Sequence, residues 1–367
     1  MKIPLSKPDI TWKEKKYVEE VLDSGQLSMG EKTRRFERQF MSRFSVKYAV
    51  AMNSGTSALH VAVKTLGLKA GDEVITTPYS FIASGNCLVY EGIKPVFADI
   101  DPQTLNIDPK SVKKLITKQT KAILAVHIFG QPCNMDEIKK IADQDGLYLI
   151  EDACEAIGAE WNGTPAGVIG DVGVFAFYPN KQITTGEGGV LLTNQKDIYE
   201  MASALRNQGR SQTSEWLEHE YVGYNYRMSE LQAAVGVGQM ERLDEILGRR
   251  EAAANRYLNL INQYQLPVTT PMVLPECKMS WFVFIVILKE GSNRQKIIKH
   301  LERKGIQAKP YFPSIHLQKS FRQLFGFKPG MYPVSEQMSE RTLALPFYTS
   351  INPNDQETVI KTLKDVL

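Results

Sequence analysis

The chain has 367 residues, 43% apolar and 23% charged, and its 44 basic residues outnumber its 41 acidic ones to give a net charge of +3. These are the proportions of a globular protein too long for one ordinary core, so one large domain with a smaller companion is expected. With charge nearly balanced and no basic block, the sequence offers no electrostatic case for nucleic acid or an anionic membrane as partner. Along Met1 to Asp9, charges and prolines stand where a secretory leader needs an apolar run, and no apolar stretch reaches membrane-span length, so a cytoplasmic, non-membrane setting is expected. Cys87, Cys133, Cys154 and Cys277 are scattered and form no C-x-x-C pair, which argues against a zinc site and against a disulfide framework.

Thr11-Trp-Lys-Glu14 predicts a capping box opening a helix that ends near Gly25. Phe36, Phe40 and Phe44 predict a second, amphipathic helix over 31–44. Short apolar strands then alternate with helical stretches: Tyr48 to Met52, Glu73 to Thr77, Pro95 to Ile100, Ala122 to Val126 and Leu147 to Ile150. Such alternation predicts an α/β domain with a largely parallel sheet, which binds ligands at the carboxyl ends of its strands. A long helix is expected from about Ser229 to Ile261, then a proline-rich link from Pro267 to Pro275. Beyond it a strand over Trp281 to Leu288 and helices over Arg294 to Lys304 and Asp355 to Leu367 predict a smaller α+β domain. The expected division is 1–248 for the N-terminal arm and large domain and 249–367 for the small one.

Within the large domain, an alternating apolar run from Gly173 ends at Pro179, and Lys181 follows between Asn180 and a Thr/Gly-rich turn. A lysine just past a strand end sheds part of its hydration, which favours the neutral amine that attacks carbonyls. Taken alone, the pattern more often describes a surface turn lysine. Three other segments complement it. Asn53-Ser-Gly-Thr-Ser-Ala58 follows a strand and opens a helix, so the Gly55, Thr56 and Ser57 amides suit a phosphate ester, although Ser and Thr are also ordinary caps. The strand Leu147 to Ile150 runs into Glu151 and Asp152; Asp152 there can hold the protonated ring nitrogen of pyridoxal phosphate, or merely cap the next helix. Tyr79 and Phe81, at another strand end, offer a ring to stack on the pyridine face, or a core aromatic.

Five motifs in order, Asn53-Ser-Gly-Thr-Ser-Ala-Leu-His60, Val126-His-Ile-Phe-Gly-Gln-Pro132, Glu151-Asp-Ala-Cys-Glu-Ala-Ile-Gly158, Asn180-Lys-Gln-Ile-Thr-Thr-Gly-Glu-Gly-Gly189 and Gly223-Tyr-Asn-Tyr-Arg-Met228, resemble the DegT/StrS-type nucleotide-sugar aminotransferases over nearly the whole chain. The resemblance implies the aspartate-aminotransferase fold (type I of the pyridoxal-phosphate-dependent transferases): a large domain with a mostly parallel seven-stranded sheet plus a smaller α+β C-terminal domain. It also implies a homodimer with shared active sites. By the same resemblance Lys181 matches the lysine that bonds to the cofactor, and Asp152 the partner of its ring nitrogen. Phe81 matches the stacking ring, Gly55 with Thr56 the phosphate site, and Glu155 a polar residue near the ring hydroxyl. Asn225 matches the asparagine that reaches the neighbouring subunit's phosphate. A serine common in the family five residues before the lysine is Ala176 here, which removes one phosphate donor and leaves Ser57 as a candidate replacement. The segment Lys309-Pro-Tyr-Phe-Pro-Ser-Ile-His316 resembles the part that meets the sugar nucleotide, which makes Lys309, Tyr311 and His316 candidates. His316 equally fits an ordinary loop histidine. Arg227 fits either a substrate anion or a structural ion pair, the latter being the better single reading, and His60 and His127 are read as structural.

The implied reaction moves an amino group from glutamate to a nucleotide-linked keto sugar, with a 4-keto-6-deoxyhexose as preferred acceptor. A 3-keto sugar acceptor and a non-catalytic regulator that binds pyridoxal phosphate remain as alternatives. Dehydratases of the same fold carry histidine in place of the lysine, so Lys181 argues against that reading.

Overall fold

The computed structural model describes residues 2–211 and 215–367. Its strands are numbered in chain order. A seven-stranded sheet is built from β1 (Tyr48–Met52), β2 (Glu73–Thr76), β3 (Lys94–Phe97), β4 (Thr120–Val126), β5 (Tyr148–Asp152), β8 (Val172–Ala176) and β9 (Gly189–Thr193), in the order β1-β9-β8-β5-β4-β2-β3. β2, β3, β4, β5 and β8 pair in parallel, whereas β9 runs antiparallel to both β1 and β8. β4 shows why these strands read as continuous apolar runs. Ala122, Leu124 and Val126 enter one core cluster while Ile123 and Ala125 enter another, so both faces of the strand are covered.

The helices cover those faces. Thr11 and Glu14 form the expected capping box at the head of helix Trp12–Ser24, and Gly25 ends it in the left-handed region at φ 67°. Helix Glu31–Phe44 buries Phe36, Phe40 and Phe44. Their rings meet those of Phe175 and Phe177, with centroid separations of 5.4 Å for Phe36–Phe177, 5.8 Å for Phe40–Phe175 and 4.9 Å for Phe44–Phe175. The helix is thereby fastened to the strand that leads to Lys181.

A second sheet, in the order β10-β12-β14-β13, consists of β10 (Val268–Thr269), β12 (Phe284–Leu288), β13 (Lys309–Pro310) and β14 (Thr342–Leu345). Phe284, Val286 and Leu288 share a cluster with Leu343 and Leu345, Ile297 and Leu301, and Val359 and Leu363. A three-stranded ribbon, β11-β6-β7, joins β6 (Glu160–Trp161) and β7 (Thr164–Pro165) to β11 (Cys277–Lys278). The N-terminal arm lies along the second sheet's domain: Ile3 forms a parallel bridge with Ile306 and is buried in the same cluster.

Two expectations change in detail. The helix expected over Ser229 to Ile261 is two helices, Glu230–Glu241 and Leu243–Gln263. Arg242 breaks it at φ −111° and ψ 8°, because its buried guanidinium turns to meet Asp9 at 3.0 Å and Glu14 at 3.1 Å. The proline-rich link also contains β10, paired with β12. In the second helix Ile246 belongs to the large domain's core and Ala253, Ala254 and Tyr257 to the small domain's. We propose that the division at 248/249 falls inside this helix, which would make it a shared rod between the domains.

Candidate active site

The carboxyl ends of β1, β2, β4, β5 and β8 lie along one edge of the sheet, where such topology places ligands. At the end of β1, Ser54 caps helix Gly55–Thr65 by accepting from the Ser57 amide at 3.0 Å. The Gly55 and Thr56 amides have no protein acceptor among the described residues and point out at the positive end of the helix. Ser57 is committed elsewhere: its hydroxyl donates to Asn53 Oδ1 at 2.7 Å. A Cβ on Gly55 would press into the Ala176 Cβ, and a Cβ on Gly189 would stand 2.5 Å from the Ser54 carbonyl oxygen. Glycine is therefore needed for the close approach of helix and strands that leaves the amides facing open space.

At the end of β5, Asp152 is 5% exposed. Its carboxylate accepts from Ser84 Oγ at 2.7 Å and from the Cys154 amide at 3.2 Å. Ser84 is held in turn by Ser80 at 2.8 Å. This fixes the carboxylate while leaving acceptor capacity for another donor. Glu155 is buried, accepts from the Phe129 amide at 2.9 Å, and meets Lys181 Nζ at 3.3 Å. Burial pushes its carboxyl above the usual range, an effect that the Lys181 charge opposes. Between these carboxylates, burial and the Asp152 charge push the Cys154 thiol well up. It stays protonated and does not compete with Lys181 as a nucleophile. The Lys181 amine also lies 4.0 Å from the centre of the Phe282 ring.

The two aromatic candidates separate clearly. Tyr79 is fully buried, with its hydroxyl donating to the Tyr311 carbonyl at 2.6 Å, so it is core. Phe81 is 60% exposed, an unusual state for a phenylalanine at a strand end beside a crevice and one that suits a ring awaiting a flat ligand. Glu151 faces the other way: it accepts from His127 Nε2 at 2.9 Å and from the amides of Gly167, Ile169 and Gly170. His60 bridges Tyr226 at 3.1 Å and Glu91 at 2.7 Å. Both histidines thus have structural partners.

The remaining expected residues divide. Tyr311 joins the cluster, since its hydroxyl accepts from Asn180 Nδ2 at 3.4 Å, and burial with the nearby Glu155 charge pushes its phenol up to about 12. Lys309 is exposed on β13 and pairs with Glu302 at 3.5 Å. His316 is fully buried, bonded to Glu336 at 3.0 Å and enclosed by the Tyr332 ring at 4.6 Å. Within one chain neither is brought to Lys181: β13 turns the lysine to the surface, and the aromatic cluster around Phe327 encloses the histidine. Arg227 donates to the Asn207 amide oxygen at 3.1 Å rather than to a carboxylate, and Asn225 is exposed beside it. Ser84, Gln182, Ser280 and Phe282 also line or support the site and carried no sequence signal of their own. The one available hint was Gln182 standing next to Lys181.

Free amides at a helix N-terminus, a buried carboxylate with spare acceptors, an exposed ring and an amine at one crevice fit pyridoxal phosphate group by group. The fold is that of the aspartate-aminotransferase type of pyridoxal-phosphate-dependent transferases. The chain belongs to the DegT/DnrJ/EryC1/StrS aminotransferase family, whose model matches residues 8–364. It is 37% identical to GDP-perosamine synthase of Caulobacter vibrioides over 369 residues, covering 100% of this chain and 98% of that protein. Among solved structures, DesV of S. venezuelae in complex with a ketimine intermediate is 31% identical with a TM-score of 0.92, covering 99% of this chain and 98% of that one. Spr1654 from Streptococcus pneumoniae, in its PLP-form, is 26% identical with a TM-score of 0.94, over 99% of this chain and 98% of that one. The protein is an aminotransferase, and its cofactor is pyridoxal phosphate.

Proposed function

We propose that this aminotransferase moves the amino group of glutamate to a nucleotide-linked keto sugar, preferentially a 4-keto-6-deoxyhexose, for polysaccharide or glycoconjugate synthesis. The observation that carries the chemistry is Lys181 Nζ placed 3.3 Å from Glu155, with the Asp152 carboxylate buried nearby. The acceptor is suggested by the GDP-perosamine synthases among the relatives.

Bound pyridoxal phosphate supplies an electron sink for a carbanion at the substrate carbon. Gly55 and Thr56 would bind its phosphate through their amides, and Phe81 would cover one ring face. Asp152, oriented by Ser84, would keep a proton on the ring nitrogen through a charge-assisted bond. Lys181 would hold the cofactor through Nζ and, with that amine free, would move a proton to and from the reacting carbon of the substrate. Tyr311, whose hydroxyl accepts from Asn180, would orient the sugar. Arg227 and the exposed Lys309 are retained as candidates for the nucleotide or a substrate carboxylate, Lys309 at the site of another copy of the chain, whereas His316, fully buried against Glu336 and Tyr332, is left out of the site. We further propose a cytoplasmic homodimer in which the exposed Asn225 reaches the partner's phosphate site. Among the described residues no helix is long and apolar enough to cross a membrane.

The test is glutamate-dependent amination of a panel of nucleotide-linked 3-keto and 4-keto sugars. Turnover of a 4-keto-6-deoxy sugar supports the reading. Turnover of 3-keto sugars alone replaces the preferred acceptor.

A further inference from the structure

Phe282 lies far from Lys181 in sequence, just ahead of β12, yet its ring is 4.0 Å from the amine. The short segment that carries it is gripped by both domains. Toward the large domain, the Ser280 and Phe282 amides donate to the carbonyls of Gly130 at 2.9 Å and Phe129 at 3.1 Å. Gln182 donates through Nε2 both to Ser280 Oγ at 2.9 Å and to the Glu155 carbonyl at 2.6 Å. The fit is tight: a Cβ on Gly130 would stand 3.0 Å from the Trp281 and Phe282 nitrogens, and Gly130 itself is at φ 94°.

From the other side comes Arg250. Its Nε donates to the Trp281 carbonyl at 2.9 Å and its Nη2 to the Phe282 carbonyl at 2.6 Å. Arg250 is 2% exposed, and its hydrogen bonds among the described residues go to carbonyls, with no carboxylate partner. It instead lies 4.8 Å from the Phe347 ring. Burial pushes its pKa down to about 9. Burying a cation without an anion is costly, and here its bonds go to the two carbonyls that set the direction of Phe282. Between them Trp281 is at φ 49°, a left-handed conformation that a bulky residue adopts only when its surroundings impose it.

We propose that Phe282, clamped by Arg250, is a positioning residue for Lys181: its ring face fixes Nζ beside Glu155 and stabilises that nitrogen in its cationic state. A ring face attracts a cation through its quadrupole, most strongly where water is excluded. One carboxylate alone would leave the flexible lysine stem several arrangements; a carboxylate and a ring together define one. The inference rests on Lys181 being the cofactor lysine, and its test is chosen to fail separately.

The holoenzyme is titrated with pH by the visible absorbance of its bound cofactor. In Phe282→Leu the midpoint falls by about half a unit, because losing the ring favours the uncharged nitrogen. The kcat falls several-fold, while KM for the amino donor stays within about twofold. Fluorinated phenylalanines at position 282 keep the shape and drain the ring's negative face, so the midpoint falls stepwise from the monofluoro to the trifluoro ring. Arg250→Lys shifts the midpoint in the same direction, and the double variant with Phe282→Leu shifts it no further than Phe282→Leu alone. A midpoint unchanged across the fluorinated series, in protein with one cofactor per chain, overturns the role of Phe282, and additive shifts overturn that of Arg250. Absence of the covalent absorbance from the wild type would instead overturn the assignment of Lys181.

Discussion

Replacing Ala176 by Ser tests how the phosphate cradle is built. Ala176 closes β8 opposite Gly189, and its Cβ is the first atom that a side chain on Gly55 would meet. Position 176 therefore abuts the helix N-terminus whose Gly55 and Thr56 amides lack acceptors. Ala176 is half-buried, which leaves room for one oxygen on the open side. Ser57 does not fill the role, because its hydroxyl is already engaged by Asn53. A hydrogen bond to a charged acceptor contributes about 1.5–3 kcal/mol, so Ala176→Ser should tighten the Kd for pyridoxal phosphate roughly tenfold to a hundredfold. The stability of the apoenzyme should change by no more than about 0.5 kcal/mol, since no existing contact is lost. Titrating apoenzyme with cofactor by absorbance, and urea unfolding of the same samples, measure both. Unchanged or weaker cofactor binding with unchanged stability would refute the placement of the phosphate beside position 176.

Asp152→Asn should lower kcat by about a hundredfold or more while weakening cofactor binding far less, because the amide preserves the bond from Ser84 but cannot hold the ring-nitrogen proton; steady-state kinetics and cofactor titration together check it. Burial raises the folded-state pKa of Glu155 above the ordinary carboxyl value of 4.5, so its protonated form favours folding, and that contribution fades as pH rises through the raised value. Glu155→Gln should remove this slope; parallel urea midpoints for apo wild type and variant, from mildly acidic to mildly basic pH, would contradict it. Phe40→Ala removes a fully buried ring that touches Phe36, Phe44, Phe175 and Phe177. It should cost about 3–5 kcal/mol in urea unfolding, and a loss below about 1 kcal/mol would mean that helix Glu31–Phe44 is not fastened to β8 as described.

What could be seen in the sequence was whatever is local. The capping box at Thr11 and Glu14, the four-residue spacing of Phe36, Phe40 and Phe44, and the strand-then-polar-turn pattern at Asp152 and Lys181 each lie within a few residues, and the fold follows from their alternation. Parallel topology then placed Asn53 to Ala58, Asp152 and Lys181 at one edge without further information. Residues that act across the chain left no such trace. Phe282 reaches Lys181 from a segment whose backbone is held by Arg250 and Phe129 at Phe282 and by Gly130 at Ser280, and Ser84 reaches Asp152 from a helix whose register the sequence did not fix. Burial was equally hidden: Tyr79 and Phe81 are two residues apart, and only packing decides that one is core and the other open. Arg242 escaped for a similar reason, since its partners Asp9 and Glu14 come from the far end of the chain.

The central claim is that Lys181 is the residue joined to the cofactor. Reducing the holoenzyme with borohydride and locating the added mass by peptide mass spectrometry tests it directly. The pyridoxyl mass is expected on Lys181 alone, and is expected to be absent when glutamate is added without acceptor before reduction. A label on any other lysine, or one on Lys181 that persists undiminished in the presence of glutamate, would contradict it.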